Sequence, residues 1–114
     1  MNRRPVTIGL IGCGVQGQSH LRALYSLGEE QVEVRALCDL NEERLAQAGQ
    51  LCAGARHFTD YRPMLEAGGL DLVIVVTMPN THEKMCTAAL EAGANVLCEK
   101  PFMMNVGEAE RVLD

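Results

Sequence analysis

Aromatic residues, lysines and long apolar runs are all scarce in this sequence. Aromatic side chains make up 4% of the residues, and tryptophan is absent. Only two of the ten basic residues are lysines, no basic stripe appears, and the net charge is −5, which argues against nucleic acid as a partner. The longest apolar run, 72–76, is far too short to span a bilayer, so no membrane partner is expected. The opening M-N-R-R-P lacks the apolar segment of a secretory signal.

The cysteines show neither a metal-binding nor a disulfide pattern. There are five of them, an odd number, and no two form a C-x-x-C pair. Cys13, Cys38 and Cys98 fall at or near predicted strand ends within apolar runs, and the other two are Cys52 and Cys86. We predict that all five are reduced and act as small hydrophobic residues in a cytoplasmic protein. No zinc site is expected at this spacing.

Three glycines follow the first apolar run, 6–11, which is typical of a central parallel strand covered on both faces. Gly12, Gly14 and Gly17 form G-x-G-x-x-G between this strand and a predicted helix, the context of the dinucleotide-binding fingerprint. Gly12 permits the tight turn, Gly14 lets the backbone approach a pyrophosphate, and Gly17 lets the helix pack closely on the strand. The start of the helix offers free N–H groups and a partial positive charge to phosphates.

Strand and helix patterns alternate along the rest of the chain. The predicted strands are 6–11, 32–38, 55–58, 71–77 and 95–98. Five helices are predicted: 21–27, 42–52, a brief one capped by Asp60, 82–92, and a last one from Asn105. The first of these belongs to a buried stripe that runs from Gly17 to Gly28. Such alternation predicts an α/β fold, a Rossmann-type doubly wound parallel sheet with strand order 3-2-1-4-5. The ligand crevice is then expected between the first and fourth strands.

An acidic residue, Asp39, ends the second strand 22 residues after Gly17. Its carboxylate can accept hydrogen bonds from an adenosine ribose and repels a 2′-phosphate, which favours NAD over NADP. The alternative is that Asp39 caps the second helix, with Glu42 three residues further on. Arg44 could pair with a 2′-phosphate, but it falls inside the predicted helix, so NADP is the minor interpretation.

Four segments, taken in order, resemble a known family. They are I-G-C-G-V-Q-G-Q-S-H from residue 11, T-M-P-N-T-H at 77–82, A-L-E-A-G at 89–93 and C-E-K-P at 98–101. Together they resemble the N-terminal half of the glucose–fructose oxidoreductase / inositol dehydrogenase (Gfo/Idh/MocA) family over essentially the whole chain. The combination is much more specific than the glycine loop alone. Met78 departs from the family, which more often has proline there.

The resemblance implies an NAD(P)-dependent oxidoreductase that transfers hydride between a sugar or inositol-type hydroxyl and NAD. It assigns the pyrophosphate to the glycine loop, the ribose to Asp39, and the nicotinamide half to the loop after the fourth strand and the E-K-P motif. For His82, a capping or packing role is as good an interpretation as cofactor contact. The cofactor-binding residues so predicted are Gly12, Cys13, Gly14, Val15, Gln16, Gly17, Asp39, Thr77, Pro79, Asn80, His82, Glu99, Lys100 and Pro101.

Lys100 is the predicted catalytic residue. Oxidation of a hydroxyl needs a hydride acceptor and a group that takes up or polarises the hydroxyl proton, and a lysine beside the cofactor can do the latter. The alternative is that Lys100 only pairs with Glu99 at the surface. The position of Lys100 at the end of a predicted parallel strand favours the catalytic role. A cis bond between Lys100 and Pro101 would fix the direction of the lysine, but the sequence does not decide this.

The family resemblance also implies a second, α+β domain that supplies most of the substrate pocket. We therefore expect residues 1–114 to be a single dinucleotide-binding domain, truncated before that second domain. The fifth strand is then an unprotected edge, which invites homo-oligomers. Two other functions stay open at this point: a non-catalytic NAD-binding or regulatory module, and an epimerase or glycosidase that uses NAD for transient oxidation. The identity of the small-molecule substrate lies outside this sequence.

Overall fold

The computed structural model describes residues 5–28, 30–76 and 79–98, in which five strands alternate with four helices. The strands are β1 (Val6–Ile11), β2 (Val32–Cys38), β3 (Arg56–Phe58), β4 (Leu72–Val75) and β5 (Asn95–Cys98). The helices are α1 (Val15–Tyr25), α2 (Glu42–Leu51), α3 (Tyr61–Ala67) and α4 (Pro79–Glu91). All neighbouring strands are parallel, in the order β3-β2-β1-β4-β5. The predicted doubly wound fold and its strand order are confirmed.

Helices cover both faces of the sheet because its central strands carry apolar side chains on both sides. One cluster of buried residues joins β1 and β2 to α1 and α2, and includes Ile8, Leu10, Leu21, Leu37, Leu45 and Ala48. A second cluster lies on the opposite face, against α3 and α4, and includes Ile11, Met64, Leu65, Val73, Cys86 and Ala89. The glycine loop and the turn after β2 are thus held between two packed layers.

The first half of β2 is exposed on one face, where Glu33 and Arg35 lie, whereas Val34 between them is buried, and the strand carries one extra residue relative to β1. Ile8 pairs with Val34 and Gly9 pairs with Ala36, which leaves Arg35 without a partner on β1. Arg35 is exposed and donates hydrogen bonds to the Glu33 carboxylate at 2.9 Å and to the Gly69 carbonyl at 3.2 Å. Beyond this extra residue the strand enters the core, where Ala36, Leu37 and Cys38 are all buried.

Thr7 joins β1 to the start of β4 at the end of the sheet remote from the glycine loop. Its side chain is 3% exposed. The Thr7 hydroxyl lies 2.6 Å from the Gly69 carbonyl oxygen, and the Thr7 amide donates to the Asp71 carboxylate at 2.9 Å. In return, the Asp71 amide donates to the Thr7 carbonyl at 2.8 Å. These bonds align β1 with β4, the two strands between which the crevice opens.

Two helices begin earlier than the sequence predicted. The first, α1, starts at Val15, directly after the glycine loop, and ends at Tyr25, which is 41% exposed rather than buried. The fourth, α4, starts at Pro79 instead of residue 82, because proline is well suited to the first position of a helix. Ala92, the last residue of the predicted helix, is exposed and follows the end of α4. The helix predicted from Asn105 lies outside the described residues.

The prediction that all five cysteines are reduced is wrong for two of them. Cys86 in α4 and Cys98 at the end of β5 form a disulfide, because the helix crosses directly beside that strand. Cys13, Cys38 and Cys52 are free and buried, as expected of small hydrophobic residues.

Candidate functional site

The loops that follow β1, β2 and β4 meet at one edge of the sheet, since parallel strands present their carboxyl ends together. The Gly12 amide donates to the Cys38 carbonyl at 2.8 Å, and the Val76 amide donates to the Ile11 carbonyl at 2.8 Å. Asp39 therefore stands beside the glycine loop on one side, and the chain leaving β4 stands on the other. In doubly wound sheets this edge is where ligands bind.

The glycine loop has the tight geometry that the sequence predicted. Gly12 has a φ of 103°, a conformation that residues with a Cβ rarely adopt. A Cβ on Gly17 would collide with the backbone carbonyl of Gly12, so the first turn of α1 lies directly on the loop. A Cβ on Gly14 would have as its nearest neighbour a terminal guanidinium nitrogen of Arg44, 3.9 Å away, which is ordinary contact. Gly14 is thus not required by packing, and its missing side chain leaves room at the surface.

The N-terminus of α1 differs from those of α2 and α3. Gly14 is its N-cap residue and provides no side-chain hydrogen bond, and the first turn of α1 holds no acidic residue. By contrast, the Asn41 side chain caps α2 by accepting from the Arg44 amide, and the Asp60 side chain caps α3 by accepting from the Arg62 amide. The first turn of α1 therefore has no side-chain cap, and the helix dipole favours an anionic acceptor at this end.

Asp39 is held against the glycine loop by two backbone amides. One carboxylate oxygen accepts a hydrogen bond from the Cys13 amide at 2.8 Å, and the other accepts from the Asn41 amide at 2.8 Å. Asn41, and not Asp39, caps α2, so the alternative role considered for Asp39 is wrong. Each carboxylate oxygen still has a second lone pair, and the residue is partly exposed, so hydroxyl donors can reach it.

Cys13 takes part in this site through its backbone and not through its thiol. The side chain is buried, and its sulfur donates to the Cys38 carbonyl at 3.5 Å. Burial, reinforced by the negative charge of Asp39, raises the pKa of the Cys13 thiol to about 12. The thiol therefore stays protonated and unreactive at neutral pH.

Three residues that the sequence analysis did not assign to the site also lie at this edge. The Gln18 side-chain amide donates to the Cys13 carbonyl at 3.0 Å and braces the loop from α1. Arg44 extends from the first turn of α2 to Gly14, although its position inside a helix had argued against a role. Leu40, directly after Asp39, is 86% exposed. The signal in the sequence that could have assigned it to the site is an apolar residue directly after the acidic one. Val15, which was assigned, is 85% exposed.

The second half of the predicted site is described only in part. Pro79, Asn80 and His82 lie in the first turns of α4 and not in a loop before it. Thr77, Glu99, Lys100 and Pro101 lie outside the described residues. Val75, at the end of β4, pairs with Cys98, at the end of β5. Thr77 and Glu99 therefore follow strand ends that are neighbours in the sheet.

The described residues contain no cluster of three or more histidine, cysteine, aspartate or glutamate side chains able to hold a metal ion. None of the helices in the described ranges has the length and apolar character needed to cross a membrane.

Comparison with known proteins agrees with this geometry. Residues 6–114 match the model of the family described as "Oxidoreductase family, NAD-binding Rossmann fold" (Gfo/Idh/MocA). The chain is 36% identical over 104 residues to D-apiose dehydrogenase of Paraburkholderia graminis, which covers 91% of this chain and 27% of that protein. It is 35% identical over 109 residues to inositol 2-dehydrogenase 2 of Saccharopolyspora erythraea, covering 96% of this chain and 32% of that protein.

A similar solved structure is the WlbA dehydrogenase of Bordetella pertussis in complex with NADH and UDP-GlcNAcA. Its TM-score is 0.88 at 30% identity, and the match covers 96% of this chain and 33% of that one. The chain thus spans about a third of the length of the relatives it matches. From the fold, the glycine loop and these matches, the chain belongs to the Gfo/Idh/MocA family of oxidoreductases and corresponds to its NAD-binding Rossmann domain.

Proposed function

We propose that this domain binds NAD at the carboxyl edge of its sheet, in a larger oxidoreductase that oxidises a hydroxyl group of a sugar or polyol. The observation that carries the proposal is the pairing of Asp39 with the Cys13 amide, beside a helix N-terminus that no side chain caps. A carboxylate and a set of free amides stand next to each other, as the ribose and the pyrophosphate of a dinucleotide require.

The pyrophosphate is assigned to the glycine loop and the start of α1. Gly14 leaves space for close approach, because among the described residues other than its chain neighbours the atom nearest to the place of its missing Cβ is an Arg44 guanidinium nitrogen, 3.9 Å away. The amides at the start of α1 point to that space with the positive end of the helix dipole. Arg44, whose guanidinium reaches Gly14, adds a positive charge beside the phosphates.

The adenosine half is assigned to the turn after β2. The lone pairs left on the Asp39 carboxylate can accept from the two ribose hydroxyls, and its negative charge opposes a 2′-phosphate. This favours NAD over NADP. Leu40 offers an exposed apolar surface next to the ribose site, which suits the face of an adenine ring.

The nicotinamide half is assigned to the segments that follow β4 and β5, with Thr77, Pro79, Asn80 and His82 from the first and Glu99, Lys100 and Pro101 from the second. When bound, NAD supplies the hydride acceptor for oxidation of a hydroxyl. Lys100 is assigned the role of taking up or polarising the hydroxyl proton, with Glu99 positioning it. The pairing of Val75 with Cys98 supports this grouping, because it starts both segments from the same place.

The relatives support a sugar or inositol-type substrate for the whole protein, as their names are D-apiose dehydrogenase and inositol 2-dehydrogenase. Because this chain spans about a third of their length, most of the substrate contacts are assigned to a further domain, and residues 1–114 to the cofactor domain alone.

Titration calorimetry with NAD and with NADP tests the cofactor site directly. We expect the chain to bind NAD more tightly than NADP, and Asp39→Ala to lose NAD binding or to shift its preference toward NADP. Asp60→Ala is the matched control, since it also removes an aspartate that accepts from a backbone amide, but at the start of α3. Equal NAD affinity in Asp39→Ala and Asp60→Ala would refute the ribose role of Asp39.

A further inference from the structure

Gln18 in α1 holds the backbone on both sides of Gly14. Its side-chain amide donates to the Cys13 carbonyl at 3.0 Å, and its backbone amide donates to the Gly14 carbonyl at 2.9 Å. The backbone bond is the ordinary first bond of a helix, which any residue except proline can make. The side-chain bond instead needs a long donor at this position. Because helical side chains lean toward the N-terminus of their helix, Gln18 reaches back to the glycine loop.

The bond from the Gln18 side chain orients the peptide unit between Cys13 and Gly14. In a trans peptide the C=O and the N–H point in opposite directions, so a carbonyl that faces Gln18 directs the Gly14 N–H away from it. Gly14 is partly exposed, and its amide has no acceptor among the described residues. The Gly14 N–H is thus available as a donor next to the space that its missing side chain leaves.

The glycine at position 14 allows this peptide unit to rotate unless another group holds it. Rotation of the unit by about 180° would carry φ of Gly14 from −79° into the positive range, which glycine tolerates and other residues rarely adopt. The rotated unit would present the Cys13 carbonyl oxygen where the N–H had been. An oxygen at that place repels the phosphates that an N–H attracts.

The preceding peptide unit is held separately, by Asp39. The Cys13 amide belongs to the unit between Gly12 and Cys13, and it donates to the Asp39 carboxylate at 2.8 Å. This bond leaves the orientation of the next unit to the Gln18 side chain. Two side chains from different elements thus orient two successive peptide units of the glycine loop.

We propose that Gln18 is a positioning residue of the pyrophosphate site, which keeps the Cys13 carbonyl turned inward and the Gly14 N–H turned toward the phosphates of NAD. This role rests on the function proposed above. Gln18 acts through the backbone and needs no contact with the cofactor. Its side-chain amide also lies 3.4 Å from the Gln47 side-chain oxygen, in an exposed contact between α1 and α2 that the role does not require.

NMR titrations of Gln18→Met with NAD and with adenosine test the role. Methionine keeps nearly the same side-chain length but removes the donor, and adenosine has the base and the ribose of NAD without its phosphates. We expect the variant to raise the dissociation constant of NAD about fivefold, as for one lost hydrogen bond, and to leave that of adenosine within about twofold. A purely structural defect in the loop would weaken both ligands.

Gln47→Met is the matched control. It also replaces a glutamine by methionine and removes the second partner of the Gln18 amide, but it leaves the bond to the Cys13 carbonyl in place. We expect it to bind NAD and adenosine with the affinities of the unmodified chain.

The NMR signal of the Gly14 amide reports the orientation of the peptide unit directly. In the unmodified chain its proton signal should move downfield when NAD is added and stay nearly in place with adenosine, because only NAD brings a phosphate oxygen to the N–H. The shift caused by NAD should be smaller in Gln18→Met. The measurement on the unmodified chain needs no variant, so it tests the inference even if Gln18→Met does not fold.

Three results would overturn the inference and leave the proposed function intact. They are an NAD dissociation constant of Gln18→Met within about twofold of the unmodified value, an equal loss of NAD and adenosine affinity, and a Gly14 signal that does not respond to bound NAD. If the unmodified chain binds neither NAD nor adenosine, the proposed function is refuted, and the role of Gln18 with it.

Discussion

The carboxylate of Asp39 accepts a hydrogen bond from the backbone amide of Cys13 at 2.8 Å, and this contact ties the turn after β2 to the glycine loop. The other oxygen accepts from the Asn41 amide, so the orientation of the carboxylate is set before any ligand arrives. One side chain thereby fixes the glycine loop and presents a negative charge at the place where we propose that the ribose binds.

Replacement of Asp39 by asparagine separates these two roles. The asparagine side chain would keep one acceptor oxygen for the Cys13 amide but remove the charge that opposes a 2′-phosphate. At about 4 Å in a partly exposed site, that repulsion is worth roughly 1–4 kcal/mol. We expect Asp39→Asn to increase NADP affinity relative to NAD affinity by about tenfold or more. It should also lower the free energy of unfolding by about 1–3 kcal/mol, because asparagine has one acceptor oxygen for the two backbone amides that bond Asp39. Parallel NAD and NADP titrations measure the ratio, and an unchanged ratio would show that Asp39 does not discriminate between the cofactors.

The fold could be predicted from the sequence because the apolar runs, the glycine positions and the alternation of strands and helices all indicated the same architecture. The apolar runs of β1 and β2 have the bounds predicted for them, and so does β5. Gly12 and Gly17 are needed where the sequence placed them, since backbone conformation at one and backbone contact at the other require glycine. Short-range signals of this kind are readable without a structure, because they depend on the local chain alone.

Long-range geometry was the part that the sequence did not predict. The disulfide depends on α4 lying beside β5, and no spacing rule reveals contact between residues 12 positions apart. Arg44 was set aside because it belongs to a helix, yet the length of its side chain carries the guanidinium to Gly14. The capping role considered for Asp39 belongs to Asn41, since two nearby polar residues competed for one helix start.

Alanine at Gly14 and at Gly17 should have opposite consequences. Among the described residues other than its chain neighbours, the atom nearest to a Cβ at Gly14 is an Arg44 guanidinium nitrogen at 3.9 Å, and φ at Gly14 is −79°. Gly14→Ala should therefore change the free energy of unfolding by no more than about 1 kcal/mol. It should nevertheless weaken NAD binding by about tenfold or more, equivalent to about 1.4 kcal/mol, because the methyl group occupies the pyrophosphate space.

Gly17→Ala should instead destabilise the fold by about 1–3 kcal/mol, because its Cβ collides with the Gly12 carbonyl and the backbone must move. Urea denaturation and NAD titration of both variants provide the comparison. If the Gly14→Ala variant binds NAD as tightly as the unmodified chain, the pyrophosphate does not lie against Gly14.

The Thr7 hydroxyl should contribute to stability without affecting the cofactor. Thr7→Val keeps the shape of the side chain but removes the hydroxyl that lies 2.6 Å from the Gly69 carbonyl and 2.9 Å from an Asp71 carboxylate oxygen. Because the Gly69 carbonyl still accepts from Arg35 and the Asp71 carboxylate still accepts from the Thr7 amide, loss of the hydroxyl should lower the free energy of unfolding by about 0.5–1.5 kcal/mol.

Thr7→Ser retains the hydroxyl and serves as the control for that loss. Urea denaturation should place it between the unmodified chain and Thr7→Val, and NAD affinity should be equal in all three, since Thr7 lies at the opposite end of β1 from the glycine loop. Equal stability of the serine and valine variants would contradict the importance of the hydroxyl.

Stability should fall in alkaline solution because two buried thiols resist ionisation. Burial raises the pKa of Cys13 and of Cys38 from 9.0 to about 12, with the Asp39 charge adding to the shift at both. Their contribution is complete below about pH 9, the pKa in the unfolded chain, and is lost as the pH rises from there toward 12. Over that interval the unfolded chain binds fewer protons than the folded one, so each thiol lowers the free energy of unfolding by at most about 1.4 kcal/mol per pH unit.

Urea denaturation between pH 8 and pH 11, with reductant present, measures this slope. Cys13→Ala should make the fall in the free energy of unfolding with pH less steep, by up to about 1.4 kcal/mol per pH unit, because one of the two titrating thiols is gone. It should also lower the free energy of unfolding at pH 8. Ile8→Val is the matched control, because it removes a methyl group from the same core cluster without removing a titrating group. It should shift the whole curve and leave its slope unchanged. Equal slopes in Cys13→Ala and Ile8→Val would mean that the Cys13 thiol ionises in the folded domain as readily as in the unfolded chain.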